Sequence, residues 1–256
     1  MYDNLNGLNS ILPGNDKLEN ARQIIDDMEA DVVAYCEHRQ NLRHKQNKNG
    51  FIQMFNGGET DIRAIAAQNA NENVGQVQEG GTEMLAFGNL MDQFYSNRSG
   101  RDELGLGRWT FMRFVGSYGV VTYMVCGYNP TENNKVESRT TYQQHRILYI
   151  NKQKEITCPR KRLVNDLIKH LETWREEGAR IVLCAYANEN IYDKALGKRL
   201  TSTLGLNMKE VVGSFTGQQV GATSFRGSKP IDGIWATSDL VVTNACIMSV
   251  GYSVAH

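Results

Sequence analysis

Residues 180–188 read Arg-Ile-Val-Leu-Cys-Ala-Tyr-Ala-Asn. The apolar run from Ile181 to Ala185 is short, β-branched at its start and preceded by Gly178, which reads as a buried strand that ends in a polar residue, Asn188. The same design recurs along the chain. Residues 31–36 form an apolar run that ends in Glu37, and Tyr128 stands in Gly-Tyr-Asn-Pro just after a strand-like stretch at 119–126. Asp232 lies in Pro-Ile-Asp-Gly-Ile-Trp, Asn4 in Asn-Leu-Asn-Gly-Leu, and His256 closes the chain. A carboxylate at the tip of a buried strand is costly unless a partner satisfies it. Taken singly, each of these residues also fits a cap, a turn or a solvated strand end.

Outward from these strand ends, the periodicity predicts helices over residues 17–30, 138–152 and 194–203. Asp16 and Glu19 make a capping box for the first. A further helix starts after Thr157 as N-cap, with Pro159 in its first turn, lines one face with Leu163, Leu167, Ile168, Leu171 and Trp174, and stops at Gly178. Further strands are expected at 51–55, 84–87, 109–115, 231–237 and 240–248, and polar loops at 40–50 and 69–81. No repeat and no Pro- or Ser-rich linker divides the chain, so residues 1–256 are expected to form one mixed α and β domain.

Composition narrows the function classes. The 28 basic and 28 acidic residues cancel, which excludes a polybasic nucleic-acid-coating protein and an acidic tail. No apolar run approaches the ~20 residues of a membrane helix, and no basic start leads into an apolar segment, so an intracellular protein of the cytoplasm or nucleus is expected. The five cysteines form no Cys-x-x-Cys pair, and Cys36, Cys126 and Cys184 sit inside apolar runs, as core residues do. Gly105-Leu106-Gly107 lacks a dinucleotide-site context, and no Gly-x-Ser-x-Gly elbow is present.

The order of strand-end residues resembles the endonuclease/exonuclease/phosphatase superfamily, which includes deoxyribonuclease-I-like and apurinic-site endonucleases. The likeness runs from Asn4 to His256, through Glu37, Gly80-Gly81 before a central strand, Tyr128 in Tyr-Asn-Pro, Asn188 and Asp232. It implies an α+β fold, a four-layer α/β sandwich of two mainly antiparallel sheets flanked by helices, with the final strand missing. The stretch Gly-Ser-Lys-Pro-Ile-Asp-Gly-Ile-Trp-Ala-Thr-Ser-Asp-Leu at 227–240 is similar to retroelement-associated members.

By that resemblance the chain is a phosphodiesterase of endonuclease type that uses Mg2+ or Mn2+ and acts on nucleic acid, DNA in preference to RNA. Glu37 and Asn4 are the implied metal residues, with Asn4 also near the phosphate. His256, Asp232, Tyr128 and Asn188 are the implied catalytic set, with Asp232 orienting His256 and the Tyr128 phenol contacting the scissile phosphate. Hydrolysis of a phosphodiester requires charge neutralisation as an alkoxide leaves, which a divalent ion on oxygen ligands supplies. Arg39 is a candidate substrate contact, since Arg39, Arg43, Lys45 and Lys48 follow Glu37 directly; the bland reading of that run is a solvated loop.

Two departures oppose turnover. The family has Asp-x-Asn where this chain has Tyr186-Ala-Asn188, and an acidic residue where Ala255 precedes His256. A phenol with a pKa near ~10 is a poor general base at neutral pH. Two alternatives therefore stand beside the nuclease: a nucleic-acid-binding module of the same fold without activity, and a phosphatase for a small or lipid phosphoester.

Overall fold

The computed structural model describes residues 1–5, 16–43, 62–69, 78–135, 139–224 and 227–248. Two compact units emerge, one running to Val115 and including Met248, the other spanning Gly116–Ile247. The strands belong to a four-stranded and a six-stranded mixed sheet, and helices accompany both, so the α+β class expected from the sequence is what the chain adopts.

The first unit holds β1 (Tyr2–Asn4), α1 (Asp16–Asp27), β2 (Val32–Cys36), β3 (Arg63–Ala67), β4 (Thr82–Ala86), β5 (Gly100–Arg101) and β6 (Trp109–Val115). Its sheet runs β1-β2-β4-β3, with β1 parallel to β2 and the other pairs antiparallel. Both faces of β2 and β4 are buried, which explains the unbroken apolar reading of β2 and of Met84–Ala86 in β4. Ala21, Ile24 and Ile25 of α1, spaced for one helical face, pack with Leu5, Val33, Tyr35, Ile62 and Leu85. Met28, just past the end of α1, is exposed. The expected strand at 51–55 lies outside the described residues.

The turn from β5 to β6 is organised by a buried ion pair. Both Asp102 oxygens take Arg108 at 2.7 Å and also accept the Leu104 and Leu106 N–H groups, while the guanidinium lies 4.3 Å from the Trp109 ring centre. A second buried charge-bearing group has no such partner. Glu83 of β4 lies between Tyr35 and Ala66 in register, and neither of its oxygens has a hydrogen-bond partner among the described residues. Burial pushes its carboxyl well above the usual carboxylate range, so it is neutral where an exposed glutamate is charged.

The second unit holds β7 (Val121–Tyr128), α2 (Thr141–Leu148), α3 (Pro159–Glu176), β8 (Arg180–Tyr186), α4 (Ala195–Ser202), β9 (Met208–Glu210), α5 (Val211–Thr216) and β10 (Asp232–Thr237). β7 and β8 are parallel, which requires a crossover, and α2 and α3 supply it. β10 is antiparallel to both β8 and β9. The apolar face of α3 buries Leu163, Leu167, Ile168, Leu171 and Trp174 as expected, and Trp174 stacks on Tyr123 of β7 at 4.3 Å. The N-cap of α3 is Cys158 rather than Thr157, because Pro159 takes the first helical position and the cap must be the residue before it. Gly178 ends the chain's helical course with φ +80°.

One expected strand is absent. Residues 240–248 carry a strand-like composition but form none, and Val241 is 88% exposed. Both sides of β10 are already bonded, to β8 and β9, so the segment following it finds no edge there. Cys36, Cys126 and Cys184 are buried as expected. No helix among the described residues is long and apolar enough to cross a membrane.

Two stability predictions follow from the buried groups of the first unit. Asp102→Ala strands the Arg108 charge and is expected to destabilise by about 3–5 kcal/mol in urea denaturation, with Asp102→Ala plus Arg108→Met recovering part of the loss. For Glu83, the folded chain keeps a proton that the unfolded chain releases above its ordinary pKa of 4.5, so its contribution to stability falls as pH rises. Glu83→Gln should match the parent near pH 4.5 and exceed it at higher pH, by up to about 1.4 kcal/mol per pH unit; equal stabilities at pH 8 would show the carboxyl to be ionised in the fold.

Candidate functional site

In the first unit the expected metal residues meet. Asn4 ends β1 and is paired in register with Cys36, which puts it beside Glu37, and its Nδ2 donates to Glu37 Oε2 at 3.1 Å. Glu37 leaves the strand in a left-handed conformation, φ +54°, and Arg39 does the same at φ +53°. Non-glycine residues occupy that region only when their surroundings impose it. Here the Glu37 N–H donates to the Gly81 carbonyl at 2.8 Å and the Arg39 N–H to that of Gly80 at 3.0 Å.

His38, between them, is fully buried. Its Nδ1 accepts the Gln40 N–H at 3.0 Å, which leaves Nε2 to donate to the Ala67 carbonyl at 3.0 Å. The ring packs so closely on Gly81 that a Cβ there would lie 2.3 Å from Nε2. Gly80 and Gly81 have φ +81° and +96°, and they lead into β4 as the sequence pattern implied. Burial lowers the His38 pKa from 6.5 to about 4, against a smaller opposing effect of the Ala67 carbonyl. Arg39 forms a half-exposed ion pair with Glu79 at 3.4 Å, an arrangement that adds little stability.

In the second unit the strand register aligns three of the expected residues. Tyr128 of β7 pairs with Tyr186 of β8, and Tyr186 pairs with Asp232 of β10. The two phenol rings are stacked, 6.0 Å apart and 8° from parallel. Tyr186 thus sits in the middle of the row, at the position where the family pattern places Asp. Asn188 follows two residues later at φ +50°, and its Nδ2 donates to the Asn129 carbonyl at 2.7 Å. The Asn129 N–H bonds to the Tyr186 carbonyl at 2.9 Å, and the Ala187 N–H to that of Ile231 at 2.8 Å. The start of β10 is tied down by Thr223, whose hydroxyl accepts the N–H groups of Ile231 and Asp232. His256 and Ala255 lie outside the described residues.

The structure therefore joins Asn4 with Glu37, and Tyr128 with Tyr186, Asp232 and Asn188. His38, Asn129 and Thr223 contribute to this geometry and were not singled out from the sequence. His38 reads as the first residue of a basic loop, and only its position beside Glu37 hints otherwise. Among the described residues no three or more His, Cys, Asp or Glu side chains converge to hold a metal ion. The Asn4–Glu37 pair offers carboxylate and amide oxygens, a donor set that suits magnesium, which takes few protein ligands and retains waters.

No protein-family model matches the chain, and no curated protein matches it in sequence. Solved structures do match. An AP endonuclease from Leishmania major, LMAP, gives a TM-score of 0.62 at 15% identity over 93% of this chain and 78% of that one. The human Nocturnin catalytic domain, solved with a bound sulfate anion, gives 0.58 at 11% identity over 89% and 76%. The 3′ phosphatase NExo from Neisseria, bound to a product DNA hairpin, gives 0.55 at 13% identity over 93% and 85%. At such identities the likeness speaks to architecture. The chain has the deoxyribonuclease-I-like fold that these structures share.

The buried imidazole makes the site pH-sensitive. Between pH 6.5 and about 4 the unfolded chain binds a proton at His38 that the folded chain does not, so stability falls as pH falls. The loss approaches about 3 kcal/mol across that window. Subtracting the pH profile of His38→Gln from that of the parent, both by urea denaturation, should isolate this slope; parallel profiles would mean that His38 is charged in the fold.

Proposed function

We propose that this chain is a nucleic-acid-binding domain of the endonuclease type that retains its substrate contacts and a Mg2+ or Mn2+ site but hydrolyses phosphodiesters poorly because of Tyr186. The observation that carries the reading is the register itself: Tyr186 stands between Tyr128 and Asp232, with its ring stacked on Tyr128. In this reading Glu37 and Asn4 hold the divalent ion, which supplies charge neutralisation when bound. The Tyr128 hydroxyl donates to a phosphate oxygen, Asn188 and Arg39 help hold the nucleic acid, and Asp232 orients His256 for proton transfer or for donation to the phosphoryl group.

What position 186 lacks is a base. A carboxylate at position 186 could accept a proton from water at neutral pH; a phenol remains protonated there and its ring fills the space. Ala255 in place of an acidic residue lowers the negative charge further. DNA is the favoured ligand, and a retroelement endonuclease the favoured origin, on the sequence likeness of residues 227–240.

The test pairs binding with cleavage. The parent chain should bind labelled DNA with an affinity that falls steeply with salt. It should nick supercoiled plasmid in Mg2+ or Mn2+ about a hundredfold or more slowly than a Tyr186→Asp, Ala255→Asp variant, the range a general base contributes. Glu37→Ala in that variant should abolish nicking. Equal nicking by parent and double variant would overturn the assignment of position 186, and absence of DNA binding would overturn the reading as a whole.

A further inference from the structure

We infer that Arg160 is the positioning residue of the second unit, a single guanidinium that holds the Tyr128 and Asn188 turns in their binding geometry. Arg160 is the second residue of α3, and its side chain is 12% exposed. Its Nη1 donates to the Pro130 carbonyl at 2.7 Å, two residues past Tyr128. Nη2 donates to the Ala187 carbonyl at 3.2 Å and to Glu189 Oε2 at 2.6 Å. Ala187 and Glu189 are the two neighbours of Asn188, so one side chain grips the backbone on one side of Asn188 and the side chain on the other.

The chemistry explains why an arginine stands there. β7 and β8 are parallel partners up to the Tyr128–Tyr186 pair and then diverge, which deprives the next carbonyls of ladder donors. Asn188 Nδ2 supplies one donor, to Asn129, and Arg160 supplies the following ones, to Pro130 and Ala187. Only a planar fork with several N–H groups reaches carbonyls on two turns and a carboxylate at once. Glu189 extends the linkage: its second oxygen accepts the Leu196 N–H at 2.9 Å, satisfying an otherwise orphaned donor in the first turn of α4. The left-handed conformation of Asn188, φ +50°, is thereby held from both sides.

The inference rests on the reading that these turns contact nucleic acid, but its structural half is separable. Arg160→Met is expected to speed hydrogen exchange at the Asn129 and Leu196 amides more than tenfold while Val125 and Leu183, inside the strands, keep their protection. DNA affinity should fall tenfold or more at temperatures well below the melting transition, with the salt dependence of binding unchanged, because Arg160 spends its charge on Glu189 rather than on phosphate. Arg160→Lys, which keeps the charge without the fork, should give an intermediate result and serves if the Met variant does not fold. Unchanged exchange at Asn129 and Leu196 would overturn the positioning role. A salt slope lowered by about one would also overturn it, by showing Arg160 to be a direct phosphate contact. Tyr128→Phe and Asn188→Ala variants that bind DNA like the parent would defeat the functional reading instead, whatever the exchange rates show.

Discussion

The register of β8 decides where the second unit's polar residues end up. This strand is bonded in parallel to β7 and antiparallel to β10, and its residues alternate between half-buried and buried from Arg180 to Leu183. Side chains alternate along a strand with period two, so a slip of one residue on either side would turn the opposing residues to the other face. The observed register instead puts Tyr128, Tyr186 and Asp232 in one row. What pins it is apolar: Ile181, Leu183 and Ala185 are buried, and the α3 helix brings Trp174 onto Tyr123 of the neighbouring strand. The polar row is thus a consequence of how the core packs, several residues away from it.

The first unit solves a different problem, how to turn a chain sharply at a carboxylate. Glu37 and Arg39 both take a conformation that costs an ordinary residue about 1 kcal/mol or more. Offsetting this needs bonds on both sides, and the two glycines provide them because no side chain blocks the approach of their carbonyls. The imidazole between them completes the turn by filling the space over Gly81. It can be buried without a large penalty because it is neutral and both its nitrogens are bonded. Glycine pair, histidine plug and strained glutamate form one unit, and none of them is intelligible alone.

How far the sequence discloses this depends on the range of the interaction. Strands β2, β6, β7, β8 and β10 and helices α1 and α3 were legible because their apolar spacing is local. The short β1, β9 and α5 were not, and neither was β3, where Arg-Ala-Ile-Ala-Ala has weak strand preference and is fixed by pairing with β4. Residues 240–248 err in the opposite direction, with the right composition and no free edge beside β10. At the candidate site, the positions of Glu37, Tyr128, Asn188 and Asp232 could be read from motif order, since each stands at a strand end or within two residues of one. The residues that hold them could not. Arg160 lies 27 residues from Ala187 and 30 from Pro130, and its surroundings in sequence, Pro-Arg-Lys-Arg, read as an exposed basic helix start.

Tyr186 changes the energetics of the row as well as its chemistry. An aspartate there would stand in register beside Asp232, and two adjacent carboxylates on a half-buried strand repel unless a cation or donor sits between them. A phenol removes that repulsion and adds a parallel ring contact with Tyr128. A tyrosine at 186 therefore avoids a repulsion that two neighbouring carboxylates would carry, in line with the general opposition between stability and activity. It leaves the scaffold of the turns untouched, because the bonds of Asn188 to Asn129 and of Arg160 to Pro130, Ala187 and Glu189 do not pass through the side chain at position 186. Under the proposed reading, position 186 lacks a base while the turns around Asn188 keep their geometry, so binding and cleavage are separable properties of one scaffold.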